Sequence, residues 1–372
     1  MNRIKANRQK RADWVLAIAI FALVLFGLVA IYSVSKYYSL QITDSDTDKY
    51  YLLRQVLWVG IGLVAWIIMQ MIDYKFWQKN TNIILYITLI LLILPLFFGD
   101  SHGSSASRWI GFGSYSFQPA ELAKLTFTMY LAGWLSHRVD NREIEKSSIH
   151  FFAAIFGLAF LMLLQKDLGT LGIFVGIAGA MYFMSGAPLK HIVSGGALSS
   201  VLVWIAIKIE PYRLQRLTTF LNPEGDLLGS GYHIQNALIA IGSGGIWGLG
   251  FGQSKQKYLY VPEAHTDSIF AIISEELGLL RSSLIIVIIA IIASRGYRIS
   301  KNAPDTYGRL LAIGITTWFV WQSFVNIAAM LAMVPLTGVP LPFISYGGSS
   351  LLFLMMATGV LLNISKYSTE KK

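Results

Sequence analysis

The sequence predicts an all-α integral membrane protein with ten transmembrane helices and a long extracytoplasmic loop between the seventh and eighth. Of its 372 residues, 55% are hydrophobic and only 13% are charged, with a mean hydropathy of +0.56. Soluble domains carry about twice that charged fraction. Apolar runs long enough to cross about 30 Å of hydrocarbon recur along the chain.

The predicted spans are distributed along the whole chain, so residues 1–372 are predicted to form a single membrane domain. The first apolar run is long and other spans follow it, which favours a retained helix over a cleaved signal peptide. In chain order the predicted spans are residues 13–34, 52–72, 81–98, 119–136, 150–165, 169–184, 191–209, 268–293, 307–333 and 348–364.

The basic residues predict the orientation of these spans. More than half of the 30 lysines and arginines fall in the two terminal segments and in the short even-numbered connections. By the positive-inside rule this places both termini in the cytoplasm and the loop at about 210–267 outside. The net charge of +10 thus follows from topology, and no nucleic-acid partner is predicted. With no cysteine, the chain has neither disulfides nor Cys-based metal sites.

Irregular polar segments occur at 99–118, 210–267 and 334–347, all on the predicted outer side. A loop as long as the second of these is usually functional. The sequence has no evident internal repeat, so the repeat signature of many secondary transporters is not seen. Any chemistry is therefore expected at the outer face of the membrane.

Charged residues within the predicted spans are the first candidate site residues. Glu121 and Lys124 lie three apart on one helix face near the start of the fourth span. Charges at membrane depth are costly and usually mark function, although a structural ion pair is the alternative. Asp167 is either a functional residue or the cap of the sixth helix. Of Glu275 and Glu276 in the eighth span, at least one must be neutral, paired or hydrated. A salt bridge within the bundle is the alternative to a functional role.

Cations at the start of the long loop form the second group. Arg213 and Arg216 are three apart, so on a helix their guanidinium groups would share a face and hold a diphosphate. Contact with lipid headgroups is the alternative. Lys255, with Lys257 nearby, adds positive charge beside tyrosines later in the loop.

The loop ends in three titratable residues, Glu263, His265 and Asp267, just before the eighth span. A carboxylate there has the position of a general base for a hydroxyl group. Asp267 is equally interpretable as an N-terminal helix cap, and the residues alone leave these two roles open. His265 is interpreted as a hydrogen-bonded structural residue, since no second His or Cys nearby completes a zinc site.

Several motifs are spread in order over nearly the whole chain. They include Asn222-Pro223, Gly229-Ser230-Gly231-Tyr232, Pro262-Glu263-Ala264-His265-Thr266-Asp267, Glu275-Glu276-Leu277-Gly278 and Gly338-Val339-Pro340-Leu341-Pro342-Phe343-Ile344-Ser345. Together they resemble the SEDS family of shape, elongation, division and sporulation proteins. The run that ends in Asp267 is more similar to the division branch, which includes FtsW and a sporulation relative, than to the RodA-type elongation branch.

The resemblance implies an enzyme, a peptidoglycan glycosyltransferase that polymerises lipid II at the outer face of the bacterial cytoplasmic membrane during cell division. It implies a class B penicillin-binding protein of the FtsI type and other division proteins as membrane partners at the septum. A divalent metal ion, Mg or Mn, is expected, and no organic cofactor. A lipid II flippase and a non-catalytic division scaffold remain the alternatives.

Residue by residue, the resemblance makes Asp267 the general base of an inverting transfer in which undecaprenyl diphosphate leaves. It assigns Glu121 and Lys124 to a central polar cavity. The residues expected to bind the substrate or its diphosphate are Arg213, Arg216, Lys255, Glu121 and Lys124, and those expected to support the site are His265, Glu263, Asp167, Glu275 and Ser345. The metal ligands stay unassigned, with Asp267 or Glu121 as candidates. The sequence departs from the family pattern at Ser268, where Phe is usual, and at Lys166, where Pro is frequent.

Overall fold

The computed structural model describes residues 11–41, 47–99, 108–112, 115–209, 211–225 and 229–368. The predicted N-terminal basic residues 3–10, the acidic residues 44 and 46 and the lysines 371 and 372 lie outside them. The described residues form mainly helices and one short hairpin of β1 (Ile110–Phe112) and β2 (Tyr115–Phe117). The helices are α1 (Trp14–Gln41), α2 (Tyr50–Met71), α3 (Tyr74–Lys79), α4 (Thr81–Phe98), α5 (Pro119–Asp140), α6 (Ser148–Leu164), α7 (Leu168–Met184), α8 (Leu189–Ile209), α9 (Pro211–Leu221), α10 (Ser230–Gly244), α11 (Ile269–Lys301), α12 (Thr306–Met330) and α13 (Gly348–Ser365).

Every predicted span coincides with a helix, namely α1, α2, α4 to α8 and α11 to α13. Six of these, α1, α2, α4, α11, α12 and α13, are long and apolar enough to cross a membrane. The expectation of a mainly helical, membrane-type fold is therefore confirmed. That all ten helices cross the bilayer stays a prediction.

Burial divides the helices into central and peripheral ones. On α12 and α13 most side chains are buried, and Trp318 and Phe319 of α12 are almost completely covered. A helix that is buried on all sides is typical of the centre of a bundle. On α4, by contrast, large apolar side chains such as Ile83, Ile90 and Phe97 are exposed, as expected of a lipid-facing surface.

The eighth predicted span is not one continuous helix, and the prediction was wrong in this respect. Gly278 adopts φ 75° and ψ 175° inside α11, which interrupts the helical hydrogen bonds. The chain at 245–250 pairs with the freed main chain instead: the N–H of Leu249 donates to the carbonyl of Glu275 at 3.0 Å, and that of Leu279 to Gly245 at 2.9 Å. The first part of α11 is thus hydrogen-bonded to the long loop at this break.

The long loop is itself largely folded. It contains α9 and α10 and then a series of turns from residue 245 to 268 that leads into α11. A Cβ atom on Gly278 would lie only 2.3 Å from the main-chain nitrogen of Gly248, so two glycines are required where the loop crosses α11. This crossing fixes the turns that precede Asp267 against the bundle.

Candidate functional site

Asp267 lies in a tight turn that immediately precedes α11. The carbonyl of Glu263 accepts hydrogen bonds from the N–H groups of Thr266 at 3.1 Å and Ser268 at 3.2 Å. Glu263 has φ 50°, a conformation that is uncommon for a residue with a side chain and that recurs at functional sites. The side-chain amide of Asn326 on α12 donates to the carbonyl of Asp267 at 2.7 Å. The turn is therefore held from both its own chain and the central bundle.

The Asp267 carboxylate does not cap α11. The residue at the N-cap position is Ser268, and no side-chain hydrogen bond caps the helix. Two hydroxyls lie at the edge of hydrogen-bond distance from the carboxylate, with Oδ1 at 3.4 Å from that of Thr266 and 3.5 Å from that of Ser268. A cap would accept from main-chain N–H groups in the first turn. The structure thus removes the capping interpretation and leaves the carboxylate available for chemistry.

The surroundings of Asp267 favour its protonated form. Desolvation, and secondly the negative charge of Glu263, raise the pKa of Asp267 from 3.8 to about 7. The Thr266 hydroxyl donates to Glu263 Oε2 at 2.8 Å and so stands between the two carboxylates. The positive charge of Arg216 acts in the opposite direction and is a smaller effect. A carboxylate with a pKa near neutral pH is well matched to the role of general base.

The imidazole ring of His265 packs against three tyrosines. Its ring centroid lies 4.4 Å from that of Tyr51, 4.8 Å from Tyr38 and 5.6 Å from Tyr346. We refer to Tyr38, Tyr51 and Tyr346 as the tyrosine cluster. His265 is only 6% exposed, and its buried Nδ1 has no hydrogen-bond partner. Burial lowers the pKa of His265 to about 4, so the imidazole is neutral at physiological pH.

A second histidine supports the turn from the other direction. His233 on α10 lies with Nε2 2.6 Å from the hydroxyl of Ser268, which donates in turn to the carbonyl of Pro262 at 2.9 Å. Burial lowers the pKa of His233 to about 4. Ser268, a departure from the family pattern, thus links α10 to the two ends of the Asp267 turn. The phenyl ring that is usual at this position has no group to form these bonds.

An apolar groove with four cations lies near this turn. It has a volume of about 290 Å³. Trp321, Phe324 and Val325 of α12 form one wall together with residues 334–337. The cations at the groove are Arg108, Lys166, Arg213 and Arg216. Apolar walls beside several cations are the combination that a polyprenyl diphosphate requires.

The predicted arginine pair is therefore brought together, and two further cations join it. Arg216 donates through Nη1 to the carbonyl of Leu336 at 2.9 Å, and Arg213 through Nη2 to that of Leu163 at 3.1 Å. Both side chains project from α9 towards the groove. Lys255 does not line the groove: its side chain is exposed, and its main-chain N–H donates to Glu275 at 3.0 Å.

Asp167 forms the cap that the sequence offered as one alternative, since its Oδ1 accepts from the N–H of Thr170 at 3.1 Å. The guanidinium of Arg108 lies 3.9 Å from the same oxygen and also donates to the carbonyls of Gln165 and Lys166. Lys166 occupies the left-handed conformation, with φ 55°, that is common after a helix end. This turn thereby places two cations at the groove.

The segment after α12 connects the groove to Asp267. Thr337 lines the groove, and a Cβ atom on its neighbour Gly338 would lie 3.8 Å from Asp267 Oδ2. Gly338 has φ 68°, which favours glycine. The carboxylate therefore faces the main chain that forms the groove wall, and the cations and the acid belong to one region.

Glu121 and Lys124 form a separate buried pair inside the bundle. Their side chains are 2.7 Å apart and almost unexposed, at 2% and 1% for the two residues. Lys124 also donates to Gln322 on α12 at 3.0 Å and lies 5.2 Å from the centre of the Trp318 ring. The structure thus contains the ion pair that the sequence offered as the alternative to a functional role, and the pair lies in the core, covered by α12.

The acidic pair on α11 anchors the long loop. Glu276 accepts from the ammonium of Lys257 at 2.9 Å and from the hydroxyl of Ser33 at 2.8 Å. Glu275 accepts from the Ser254 hydroxyl and from main-chain N–H groups that follow it in the loop. Ser345, another predicted supporting residue, accepts from the N–H of Leu341 through its hydroxyl at 2.8 Å and holds the turn after α12.

Sequence reasoning missed Arg108, Asn326 and Gln322. Arg108 stands in a polar outer segment with no motif around it, and only its position against the turn at Gln165 makes it a groove residue. Gln322 and Asn326 are amide side chains four apart in the buried part of α12. That spacing on one face of a central helix was the signal that could have identified them.

The predicted divalent metal has no complete set of protein ligands. No group of three His, Asp or Glu side chains suited to a metal ion occurs in the described part of the chain. Glu121 fits poorly, because the ammonium of Lys124 already neutralises it at 2.7 Å. Asp267 and Glu263 offer two carboxylates, and Mg²⁺ commonly takes further ligands from a substrate phosphate. The presence of a divalent metal stays a prediction.

Comparison with known proteins agrees with the resemblance. The model of the cell cycle protein family of FtsW, RodA and SpoVE matches residues 13–370. The chain is 39% identical to stage V sporulation protein E of Bacillus subtilis, over 97% of this chain and 99% of that protein. It is 37% identical to a probable peptidoglycan glycosyltransferase FtsW of Trichlorobacter lovleyi, over 97% and 95% of the two chains.

Two solved structures share the fold. One is a chain from a peptidoglycan synthase complex that coordinates polymerization and crosslinking, with a TM-score of 0.77, 25% identity and coverage of 95% of this chain and 97% of that one. The other is the rod shape determining protein RodA of Thermus thermophilus, with a TM-score of 0.71, 25% identity and coverage of 97% and 98%. The chain therefore belongs to the FtsW, RodA and SpoVE family of cell cycle proteins.

Proposed function

We propose that this protein is a peptidoglycan glycosyltransferase of the bacterial cytoplasmic membrane, which polymerises lipid II at the outer face during cell division. The observation that carries the proposal is the juxtaposition of a carboxylate that does not cap its helix, with a near-neutral pKa, and a four-cation apolar groove. Relatives named as probable peptidoglycan glycosyltransferases support the reaction class.

In the proposed reaction Asp267 accepts the proton of the acceptor sugar's 4-hydroxyl as that oxygen attacks the anomeric carbon of the donor. The bond from the anomeric carbon to the diphosphate oxygen breaks, and the configuration inverts in one displacement. The fixed turn keeps the carboxylate in place, because both its own chain and Asn326 bind its main chain. Holding a general base in position is a substantial part of its effect.

The leaving group is a diphosphate that gains negative charge as the bond breaks. Arg213, Arg216, Arg108 and Lys166 at the groove would stabilise this charge, and the apolar wall of α12 would receive the first part of the polyprenyl chain. Such a groove explains why a sugar-transfer enzyme is made of membrane helices. A bound divalent ion would add Lewis-acid stabilisation of the same charge.

Glu121 and Lys124 are proposed to stabilise the central bundle behind the site. A buried ion pair, joined through Glu121 Oε1 and with a further bond from Lys124 to Gln322, fixes the relation of α5 to α12, the helix that carries Asn326. Partner proteins are proposed by analogy with the related synthase complex: a class B penicillin-binding protein of the FtsI type and further division proteins at the septum.

The test is polymer formation from purified lipid II by the full chain, with Asp267→Asn and Asp267→Ala compared with wild type. We expect both variants to lose chain growth while retaining their thermal stability. A flippase would show transfer of fluorescent lipid II between leaflets without chain growth, and a scaffold would tolerate Asn. Full activity of Asp267→Asn would overturn the proposal.

A further inference from the structure

The tyrosine cluster packs around His265 in the Asp267 turn and has no role in the proposed proton transfer. Tyr38 comes from α1, Tyr51 from α2 and Tyr346 from the segment before α13, so three separate parts of the chain converge on one imidazole. None of the three tyrosines is fully buried, and the neighbouring Glu263 is exposed. The cluster is therefore open to the outside, unlike the aromatic core of the bundle.

Two of the three hydroxyls in the cluster lie near the carboxylates of the Asp267 turn, whereas the Tyr346 hydroxyl accepts a hydrogen bond from Arg54. The hydroxyls of Tyr38 and Tyr51 both lie within electrostatic reach of the Glu263 carboxylate, and that of Tyr38 also within reach of Asp267. His265 Nδ1 is buried without a hydrogen-bond partner. An unpartnered buried acceptor or donor of this kind costs free energy unless a ligand satisfies it.

The combination of aromatic rings with hydroxyls and a carboxylate suits a sugar. Ring faces can contact the C–H groups of a pyranose, while phenol hydroxyls and a carboxylate satisfy its hydroxyls. Glu263 and Asp267 would repel a diphosphate here. The neighbouring cation Arg54 donates to the Tyr346 hydroxyl and lies 4.4 Å from the centre of the Tyr50 ring. The four cations lie instead at the groove, and the cluster shares no lining residue with it.

The cluster and the groove border the same turn through different contacts. Gly338, beside the groove, faces the carboxylate of Asp267, whereas the N–H of Tyr346 donates to the carbonyl of His265 at 2.9 Å. We propose that the tyrosine cluster, with His265 and Glu263, is the binding subsite for the acceptor's pyranose ring. This rests on the proposed function, in which the groove takes the donor's diphosphate and Asp267 takes the acceptor's proton.

The test is saturation-transfer NMR of the full chain in detergent micelles with a lipid-free N-acetylglucosaminyl-N-acetylmuramyl pentapeptide as probe. We expect transfer to the sugar C–H protons, and a rise in Kd of roughly tenfold in Tyr51→Leu, which removes the ring, with a smaller rise in Tyr51→Phe. Tyr86→Leu on α4 is the control, because Tyr86 is an exposed tyrosine outside the cluster, and it should bind like wild type.

Two further variants keep the outcome clear. Glu263→Gln changes an exposed side chain with little risk to folding and should also weaken binding of the probe. Asp267→Asn should bind the probe normally while losing polymerisation, so failure of the catalytic proposal is distinguishable from failure of this one. An absence of transfer in wild type, or equal affinity in wild type, Tyr51→Leu and Glu263→Gln, would overturn the proposed subsite.

Discussion

The side-chain amide of Asn326 donates to the main-chain carbonyl of Asp267 at 2.7 Å and to that of Val339 at 2.8 Å. One residue of the central helix α12 therefore fixes the turn that carries the candidate base and the segment that leads from the groove. The geometry of the site depends on this bridge.

Replacing Asn326 tests the bridge. Asn326→Ala leaves two buried carbonyls without their donor, and we expect a loss of about 1–3 kcal/mol in the free energy of unfolding. We also expect kcat to fall at least about tenfold with little change in KM, since positioning rather than binding is affected. Thermal unfolding and polymerisation kinetics measure both. Asn141→Ala at an exposed position is the control, and unchanged kcat in Asn326→Ala would contradict the prediction.

The pH dependence of the reaction follows from the raised pKa of Asp267. Below about pH 7 the carboxyl is protonated and cannot accept a proton, so the rate should rise with pH through about 7 and then level off. Glu263→Gln removes a negative charge and should move the midpoint to lower pH, whereas Arg216→Gln should move it to higher pH. Initial rates between about pH 5.5 and about pH 8.5 measure these shifts, and shifts in the reverse directions would refute the charge argument.

The groove should bind a prenyl diphosphate through its cations. Charge-assisted hydrogen bonds contribute about 1.5–3 kcal/mol, so Arg216→Gln should raise the Kd by roughly 10–100-fold. Farnesyl diphosphate binding, measured by calorimetry with farnesol as the uncharged comparison, reports this directly. Arg281→Gln, at an exposed arginine near the loop crossing, should leave the Kd unchanged. Equal Kd values for the two variants would exclude Arg216 from the binding site.

The buried pair of Lys257 and Glu276 should be essential for stability. Removing one partner leaves the other charge buried and unpaired, and we expect each of Lys257→Met and Glu276→Gln to cost about 3–5 kcal/mol. The double variant should cost clearly less than the sum of the two, and a thermal double-mutant cycle measures the difference. Lys36→Met breaks an exposed pair with Asp48 and should cost only about 0–1 kcal/mol. Additive losses at 257 and 276 would show that the two charges do not interact.

The crossing of the long loop over α11 should not tolerate a side chain. Gly278→Ala forces a Cβ atom against the main chain of Gly248 and a positive φ onto alanine, and the strain alone costs about 1–3 kcal/mol. We expect reduced thermal stability and loss of activity together, because this crossing anchors the turns before Asp267. Gly157→Ala on α6 has open space at its Cβ and should be neutral or slightly stabilising. A stable, active Gly278→Ala would contradict the structure at this point.

Some features were predictable because they depend on short stretches of sequence. The apolar runs gave the positions of the helices, since crossing a hydrocarbon layer requires internally hydrogen-bonded segments of a minimum length. The three-residue spacing of Glu121 and Lys124 predicted a pair on one helix face, and the structure has that pair at 2.7 Å. The arginines of α9 were likewise expected to act together, and both reach the groove.

Other features depend on contacts between distant segments and could not be derived in this way. The break of α11 at Gly278 exists because residues 245–250 supply replacement hydrogen bonds, and nothing near Gly278 in the sequence indicates this. Arg108 joins the groove through the carbonyls at the end of α6. Lys255 resembles the other loop cations in sequence, yet the loop turns its side chain outwards.

Taken by itself, the sequence determined a helical membrane-type bundle, its family and the segment that carries the candidate chemistry. Only the tertiary structure excluded the capping role of Asp267, because a cap and a base need the same residue at the same helix start. The helix has no side-chain cap. The proposed role as base is supported by its surroundings, since Asn326 holds the main chain, and desolvation and Glu263 raise the pKa of the carboxylate. Those contacts come from segments that are far apart in the sequence. The hydrogen bonds and charges around Asp267 therefore come together only in the folded protein.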